Sequence, residues 1–372
     1  MTAGGRGTPA RGVVVEDSLV QRANLVAVLE ADGDIKVVGE ATTAIEAIEL
    51  VASLRPDVVT LDLNIPDGGG QYALEQIMAN TPTPVLVLSS TVYDDASGPA
   101  VAALVGGALV AIPKPVRWTP AFESELRRSV RTIRSVPVVR HIRGRLRSRP
   151  SAPATTSLPS LATTSSSPPS APMSWRPAKD TKSCVVAIAA STGGPPALAT
   201  VLKGLAKLTA PVLIVQHIHP DFVQGLVDWM ARISPLPVVL AQHGETLRSA
   251  CIHIGPGGTH LRIGRDWKIE LVDTPVTVHC PSADQLFESV AVRAGENGVG
   301  VVLTGMGDDG AAGLAAMHRC GARTIAQDQA TSAVYGMPRA AQRLGVVDQQ
   351  LPLPAIANAI VRAVHARSSA RS

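Results

Sequence analysis

Short apolar runs alternate with helix-like stretches from Val13 to about Val116, and this alternation limits the possible folds more than any other feature. Runs without polar alternation are typical of strands that are buried on both faces. Because helices separate these strands, they pair in parallel, and a doubly wound α/β domain is predicted. The predicted strands are Val13 to Val15, Ile35 to Gly39, Val58 to Leu61, Val85 to Leu88 and Leu109 to Ile112.

The same alternation returns after Cys184 and predicts a second doubly wound α/β domain. Its main predicted strands are Val185 to Ala190, Val212 to Gln216, Gly300 to Thr304 and Arg323 to Gln327. Shorter strands are expected at Val238 to Ala241, Ile252 to Ile254 and Trp267 to Val272. Two helices, from about Pro338 and Pro354, are expected to close the chain.

Between these halves, Ser148 to Lys182 consists mainly of Ser, Pro, Ala and Thr. Such a segment buries too little apolar surface to offset the entropy of ordering, so a flexible tether is predicted. We therefore expect one domain at 12–134, an Arg-rich and then Ser/Pro-rich linker at 135–182, and a second domain at 183–366.

The basic character of the chain comes from one segment. Nine arginines lie between Arg127 and Arg149, and without them the formal net charge of +4 becomes negative. A solvated basic helix and tether is therefore favoured, and no nucleic-acid partner is expected. The alternative is that this stretch binds nucleic acid or an acidic protein.

Cysteine spacing and hydropathy indicate the compartment. The four cysteines are far apart and form no Cys-x-x-Cys pair, so neither a zinc site nor a disulfide framework is expected. No apolar stretch is long enough for a membrane span, and the short Gly-rich start lacks the apolar run of a secretory signal. We expect a cytoplasmic monomer that does not insert into membranes.

Carboxylates stand at the ends of predicted strands of the first half: Glu16 and Asp17 after the first, and Asp62 after the third. The carboxyl ends of parallel strands line the ligand crevice of such a sheet. Mg²⁺ would relieve the repulsion among three carboxylates there. Ser89 and Lys114 end the fourth and fifth strands, where a hydroxyl and an ammonium can hold a phosphoryl group on Asp62.

This ordered set resembles the receiver domain of bacterial response regulators, over about Val13 to Val116. The resemblance implies a flavodoxin-like fold, with Asp62 as the phosphoacceptor. The residues that it assigns to Mg²⁺ are Glu16, Asp17, Asp62 and the backbone of Asn64. It makes Ser89 the switch hydroxyl and Lys114 the cation that pairs with phosphate.

Two positions depart from the receiver pattern. The aromatic residue that usually stands three places before the lysine is Ala111 here. The acidic residue usually found three places past the proline of the phosphoacceptor loop is Gly69 here, because the loop runs from Pro66 to Gly70. We expect the phosphorylation chemistry to be intact and the transmission of its signal to differ.

In the second half, the strand Val185 to Ala190 runs directly into Ser191-Thr192-Gly193-Gly194. A serine at that place lies at the rim of the sheet, and the free N–H groups at the following helix start can stabilise an oxyanion. The Thr192 amide is the leading donor. On its own, this tetrapeptide is more typical of a serine that only caps a helix.

A histidine and an acid follow two further strands. His217 ends the strand from Val212 and is a candidate general base. His219, two residues later, competes for this role, and the more distant alternatives are His243, His253, His260 and His279. The strand from Gly300 is followed by Asp308 and Asp309, either of which could orient an imidazole, or cap a helix. The chain order Ser, His, Asp differs from that of the α/β-hydrolases.

This half resembles the catalytic domain of the chemotaxis protein-glutamate methylesterases over about Val185 to Val364. The matching motifs are Ala190 to Gly194, Gln216-His217, Pro281-Ser282 with Asp284, Leu303 to Gly310 and Tyr335 to Arg339. The resemblance implies Ser191 as nucleophile, His217 as base, Asp309 as orienting acid and the Met306 amide beside the oxyanion. A receiver ahead of the catalytic domain is also that family's arrangement.

The resemblance implies a phosphorylation-activated enzyme that hydrolyses glutamyl methyl esters on methyl-accepting chemotaxis receptors, deamidates their glutamines and takes phosphate from a chemotaxis histidine kinase. Mg²⁺ is expected for phosphorylation, and no cofactor for hydrolysis. Ala189, Gly258 and Cys280 replace residues usual in the family, and the last two remove charge near the substrate. The alternative is a regulator or adaptor that no longer turns over esters.

Overall fold

The computed structural model describes residues 8–89, 97–115, 117–136, 138 and 184–369. The predicted tether, and most of the Arg-rich stretch beyond Arg134, lie outside these residues. The expected domain boundaries at 12–134 and 183–366 stay predictions. Among the described helices, none combines the length and apolar character that crossing a bilayer requires.

The N-terminal half is a five-stranded parallel sheet in the order β2-β1-β3-β4-β5, which confirms the predicted doubly wound fold. Its strands are β1 (Ala10–Val15), β2 (Ile35–Ala41), β3 (Val58–Asp62), β4 (Val85–Ser89) and β5 (Val110–Pro113). Its helices are α1 (Leu19–Glu30), α2 (Ala44–Leu54), α3 (Gly69–Asn80), α4 (Ser97–Gly106) and α5 (Pro120–Ile133). Every residue of β3 and β4 is buried, as expected of central strands with helices on both faces.

The C-terminal half is built on a seven-stranded parallel sheet in the order β14-β13-β12-β6-β7-β9-β8. These strands are β6 (Val185–Ala190), β7 (Val212–Gln216), β8 (Val238–Leu240), β9 (Ile252–Ile254), β12 (Gly298–Val302), β13 (Arg323–Gln327) and β14 (Gln349–Leu351). The helices are α6 (Gly194–Lys203), α7 (Pro220–Ile233), α8 (Ala283–Ala294), α9 (Ala311–Arg319), α10 (Met337–Arg343) and α11 (Leu353–Ser369). This sheet confirms the second parallel domain.

A separate antiparallel pair, β10 (His260–Ile263) and β11 (Ile269–Val272), departs from the predicted pattern. The strand expected from Trp267 begins two residues later, because Asp266 and Trp267 adopt positive φ angles of 58° and 56° in a tight turn. The sequence did not predict β10 or the three-residue β14. Both are short, and β10 contains His and Arg, so neither has the apolar run that marks the other strands.

The two halves pack against each other along α4 and α7. The fully buried Phe222 of α7 joins a cluster of N-terminal core residues that includes Leu104 of α4. In return, Val101 of α4 packs into the core of the C-terminal sheet. This contact brings β5 and α5 of the N-terminal half close to the carboxyl ends of β6 and β7.

Candidate active site

Ser191 directly follows the buried strand β6. Its backbone N–H donates to the Thr304 carbonyl at 3.0 Å, and its carbonyl accepts from the Gln216 side-chain amide at 2.9 Å. Helix α6 is capped by Gly193, without a side-chain hydrogen bond, so Ser191 is not the helix cap that the tetrapeptide alone also allows. Its side chain instead lines a cavity of about 510 Å³.

The two glycines after Ser191 are required by close contacts. Gly193 has a φ of +73°, and a Cβ there would lie 2.5 Å from the Ala333 Cβ. A Cβ on Gly194 would lie 1.9 Å from the Gln216 Oε1. Gln216 also donates to the His217 carbonyl at 3.0 Å, so its amide ties the ends of β6 and β7 together.

His217 and Asp309 form a hydrogen-bonded pair in the same cavity as Ser191. The His217 Nε2 lies 2.8 Å from the Asp309 Oδ2, and both side chains are about 10% exposed. His217 directly follows β7, and its N–H donates to the Ala190 carbonyl at 3.0 Å, which fixes it beside the end of β6. Asp309 is buried whereas its neighbour Asp308 is exposed, so of the two candidate acids only Asp309 meets the imidazole.

Asp309 sits at the N-terminus of α8. It accepts hydrogen bonds from the Ser282 hydroxyl at 2.8 Å and from the backbone N–H groups of Ala283 at 2.7 Å and Asp284 at 3.1 Å. Burial alone would raise the pKa of Asp309, but the hydrogen bond from His217 and these N–H groups hold the pKa well below its usual range. The carboxylate is therefore charged and held in a fixed orientation.

The hydrogen bond to Asp309 sets the tautomer of His217. Since Nε2 donates to the carboxylate, Nδ1 is left to accept a proton. The Nδ1 is buried, and within the described residues it has no hydrogen-bond partner, Ser191 included. An unpaired acceptor in the cavity next to a serine is what a general base needs, and catalytic contacts often shorten only when substrate binds.

Two backbone amides beside the cavity are candidates for stabilising an oxyanion. Thr192 and Met306 line the cavity with Ser191. Neither N–H donates a hydrogen bond to any residue that the structure describes, although the Thr192 carbonyl accepts one from the Thr304 hydroxyl at 2.9 Å. These are the two groups that the sequence analysis expected beside the oxyanion.

The other histidines have different surroundings. His219 caps α7, where its ring accepts from the Asp221 N–H at 3.4 Å. His253 and His260 are fully buried, and His243 accepts from the Leu271 N–H. His279 stacks on His217, with ring centroids 4.3 Å apart and an angle of 8° between the rings.

The sequence predicts no role for Gln216 or Ser282 and offers His279 only as an alternative base, although all three contact the Ser191, His217 and Asp309 set. Gln216 and Ser282 belong to motifs that signalled the family, and a Ser just before a helix is a usual cap. Ser282 makes no cap hydrogen bond to its own helix and bonds Asp309 instead. His279 stands in an irregular segment, where no periodicity could reveal its neighbour.

The cavity is shared by the two halves of the chain. On the C-terminal side it is lined by Ser191, Thr192, His217, His279 and Met306, and on the N-terminal side by Leu109, Ala111, Ile112, Glu125 and Arg128. Ala111, at the position where receivers usually carry an aromatic residue, thus lines the same cavity as Ser191 and His217.

The carboxylates of Glu16, Asp17 and Asp62 lie together at the carboxyl ends of β1 and β3, with oxygens within 4.8 Å of one another. Glu16 and Asp62 are buried, and burial raises the pKa of Glu16 above its ordinary value in spite of the nearby Lys114. The Asn64 N–H donates to the Asp62 Oδ1 at 3.1 Å. A cluster of buried carboxylates with an exposed third member suits a divalent cation such as Mg²⁺.

Lys114 reaches across the same edge of the sheet. Its Nζ lies 2.7 Å from the Asp62 Oδ2 and 2.6 Å from the Glu16 Oε2. Burial would lower the pKa of Lys114, but the hydrogen bonds to Asp62 and Glu16 raise it above its ordinary value. Its backbone N–H donates to the Ser89 carbonyl at 2.8 Å, so the backbones of these two residues pair at the ends of β4 and β5.

Comparison with known proteins gives a separate family match for each half of the chain. Residues 186–360 match the model of the CheB methylesterase family, and residues 13–121 match that of the response regulator receiver domain. Protein-glutamate methylesterase/protein-glutamine glutaminase 3 of Anaeromyxobacter dehalogenans is 40% identical over 352 residues, which cover 94% of this chain and 97% of that protein. The chain belongs to this methylesterase family.

Other relatives carry the same family name. The protein-glutamate methylesterase/protein-glutamine glutaminase of Agrobacterium fabrum is 40% identical over 363 residues, which cover 96% of this chain and 97% of that one. Among solved structures, the Thermotoga maritima CheB methylesterase catalytic domain is 30% identical and covers 48% of this chain and 98% of its own, with a TM-score of 0.47. The match to the Agrobacterium fabrum protein extends over both halves of the chain.

Proposed function

We propose that this member of the methylesterase family hydrolyses γ-methyl esters of protein glutamates, with Ser191 as nucleophile, His217 as base and Asp309 as orienting acid. The observation that carries the proposal is the His217–Asp309 pair, in which Nε2 and Oδ2 lie 2.8 Å apart and each side chain is about 10% exposed, in the cavity that Ser191 also lines. Such a unit activates a serine hydroxyl that is otherwise a weak nucleophile at neutral pH.

The reaction follows from the tautomer of His217. Its Nδ1 takes the proton from Ser191 as the serine oxygen bonds to the ester carbonyl carbon. The C–O bond to methoxide then breaks, the imidazolium returns its proton to the leaving oxygen, and methanol departs. Water, deprotonated by the same Nδ1, hydrolyses the glutamyl-serine ester and releases free glutamate and Ser191.

The free amides of Thr192 and Met306 support the tetrahedral intermediates. Backbone N–H groups that are already oriented stabilise an oxyanion without further reorganisation, and one such donor typically contributes 10²–10³ in kcat. The same site accommodates a glutamine side chain, whose cleavage releases ammonia in place of methanol. We therefore include deamidation of protein glutamines in the proposed activity.

The receiver half would regulate the hydrolase through phosphorylation. We assign Asp62 as the phosphoacceptor, with Lys114 and Ser89 contacting the phosphoryl oxygens, and we assign Mg²⁺ to Glu16, Asp17, Asp62 and the Asn64 backbone. When bound, the metal would neutralise charge on the transferring phosphoryl group. Lys114, which pairs with Asp62 at 2.7 Å, would transfer that pairing to the phosphate.

The receiver half would regulate the catalytic half at the cavity that both halves line. Receiver residues Ala111 and Arg128 line it together with Ser191 and His217, so a docked receiver restricts the approach of a protein substrate. Phosphorylation would release this contact. Couplings of this kind are typically about 1–3 kcal/mol, equivalent to 5–150-fold in affinity.

We further propose that the substrates are chemotaxis receptors, that a chemotaxis histidine kinase donates the phosphate and that the chain works in the cytoplasm as a monomer. The decisive experiment follows methanol release from methylated receptor membranes, with and without a small-molecule phosphodonor and Mg²⁺. We expect release that the phosphodonor increases about 5–150-fold. Absence of methanol release under both conditions would contradict the proposed function.

A further inference from the structure

The segment 273–281, between β11 and α8, places a second imidazole flat against the proposed catalytic base. The rings of His217 and His279 stack with centroids 4.3 Å apart and an interplanar angle of 8°. The His217 ring is fixed at one atom only, because Nε2 is held by Asp309 whereas Nδ1 has no partner among the described residues. A ring held at one atom can still tilt, and tilting moves Nδ1.

The segment that carries His279 is held at both ends by one buried side chain. The His260 Nδ1 accepts from the Ser282 N–H at 3.0 Å, so its Nε2 carries the hydrogen and donates to the Pro275 carbonyl at 2.8 Å. His260 is fully buried, so both of these hydrogen bonds are shielded from competition by water. Within the segment, the Thr277 hydroxyl donates to the His279 carbonyl. The stack is therefore preorganised.

The surroundings of His279 favour the neutral form of its imidazole. Burial lowers the pKa of His279, and the adjacent His217 lowers it further. The other charged groups that act on it are Asp309, Asp308 and, from the receiver helix α5, Arg128. A neutral ring on the face of His217 adds no positive charge that would oppose the imidazolium formed during the reaction.

We infer that His279 is a positioning residue, whose ring holds the His217 imidazole in the plane that aims Nδ1 at Ser191. The inference rests on the proposed function of Ser191 and His217. A flat aromatic contact contributes roughly 0.5–1.5 kcal/mol beyond its buried area, which corresponds to about two- to thirteenfold in rate if it acts only in the reacting arrangement. His279 is partly exposed, so its replacement does not hollow out the core.

The test uses the full chain and the second-order rate at which a fluorophosphonate probe labels Ser191. This rate reports activation of the serine by its base without a protein substrate, so it separates failure of this inference from failure of the proposed substrate. The variants are His279→Ala, His279→Leu and His279→Phe. The control is Val276→Ser, which lies on the same segment, is 94% exposed and does not line the cavity.

We expect His279→Ala and His279→Leu to label about two- to thirteenfold more slowly, and His279→Phe and Val276→Ser to label at close to the wild-type rate. With a methyl ester substrate, kcat should fall by the same factor while KM stays within about twofold. His279→Leu fills much of the volume of the imidazole without a flat ring. It therefore tests the same inference if His279→Ala does not fold. Wild-type labelling by His279→Leu, or slow labelling by His279→Phe, would overturn the inference.

Discussion

The Nε2 of His217 lies 2.8 Å from the Oδ2 of Asp309, and this bond leaves Nδ1 as the ring nitrogen without a hydrogen-bond partner among the described residues. Because Nε2 carries the hydrogen, Nδ1 is the proton acceptor. An amide in place of the carboxylate would present its N–H₂ to the ring and favour the opposite tautomer. The orientation of the acid is secured in turn by the N-terminus of α8.

Asp309→Asn should therefore lower kcat by about 10³–10⁴-fold, as replacing the acid by an amide does in other serine triads. The neighbouring exposed Asp308 provides a matched control, and Asp308→Asn should keep a rate within about twofold of wild type. Steady-state methanol release measures both. Equal losses in the two variants would show that general charge near the cavity, rather than the tautomer of His217, is responsible.

Gly194→Ala should lower activity much more than stability. The added Cβ would lie 1.9 Å from the Gln216 Oε1, so the Gln216 side chain must move away from the Ser191 and His217 carbonyls. We expect a loss of about tenfold or more in kcat/KM, equivalent to at least about 1.4 kcal/mol of transition-state stabilisation. Gly98→Ala, where no atom lies within 4 Å of the new Cβ, is the control. An unchanged kcat/KM for Gly194→Ala would contradict the role given to Gln216.

The buried His253 should make the free energy of unfolding depend on pH. Burial, together with the positive Arg248, lowers its pKa from 6.5 to about 4. Between pH 6.5 and about pH 4, His253 binds a proton in the unfolded chain but not in the folded chain. The contribution of His253 to stability is therefore fully present above about pH 6.5 and is lost as the pH falls towards 4. The full effect is about 3 kcal/mol.

His253→Gln keeps an acceptor for the Arg248 N–H but cannot titrate. Thermal unfolding between pH 7 and pH 4 should therefore show a flatter decline of Tm in this variant than in wild type. His243→Gln, which changes an exposed histidine, should retain the wild-type slope. Parallel curves for wild type and His253→Gln would exclude His253 as the source.

Asp62→Asn should abolish activation by a phosphodonor and leave basal hydrolysis in place. The carboxylate cluster lies on the receiver sheet and does not line the cavity of Ser191. Chelation of divalent cations should have the same effect, since Mg²⁺ is assigned to phosphorylation alone. Methanol release with and without phosphodonor, before and after chelation, measures both. Loss of basal hydrolysis on chelation would instead place a metal in the ester chemistry.

Much of the fold could be predicted because long apolar strands and their helices have clear periodicity. The strand-end positions of Asp62, Ser191 and His217 followed from that pattern together with the family resemblance. The β10–β11 pair could not be predicted, since β10 holds only four residues, two of them polar. His279 and His260 could not be assigned roles either, because their contacts cross irregular segments that sequence distance does not reveal.

The most direct test of the central claim compares wild type with Ser191→Ala in methanol release from methylated receptor membranes. Because a triad acts as a unit, we predict that Ser191→Ala loses at least about 10³-fold in initial rate. Ser53→Ala, which changes an exposed receiver serine, should keep the wild-type rate. Release by Ser191→Ala within about tenfold of wild type would contradict Ser191 as the nucleophile.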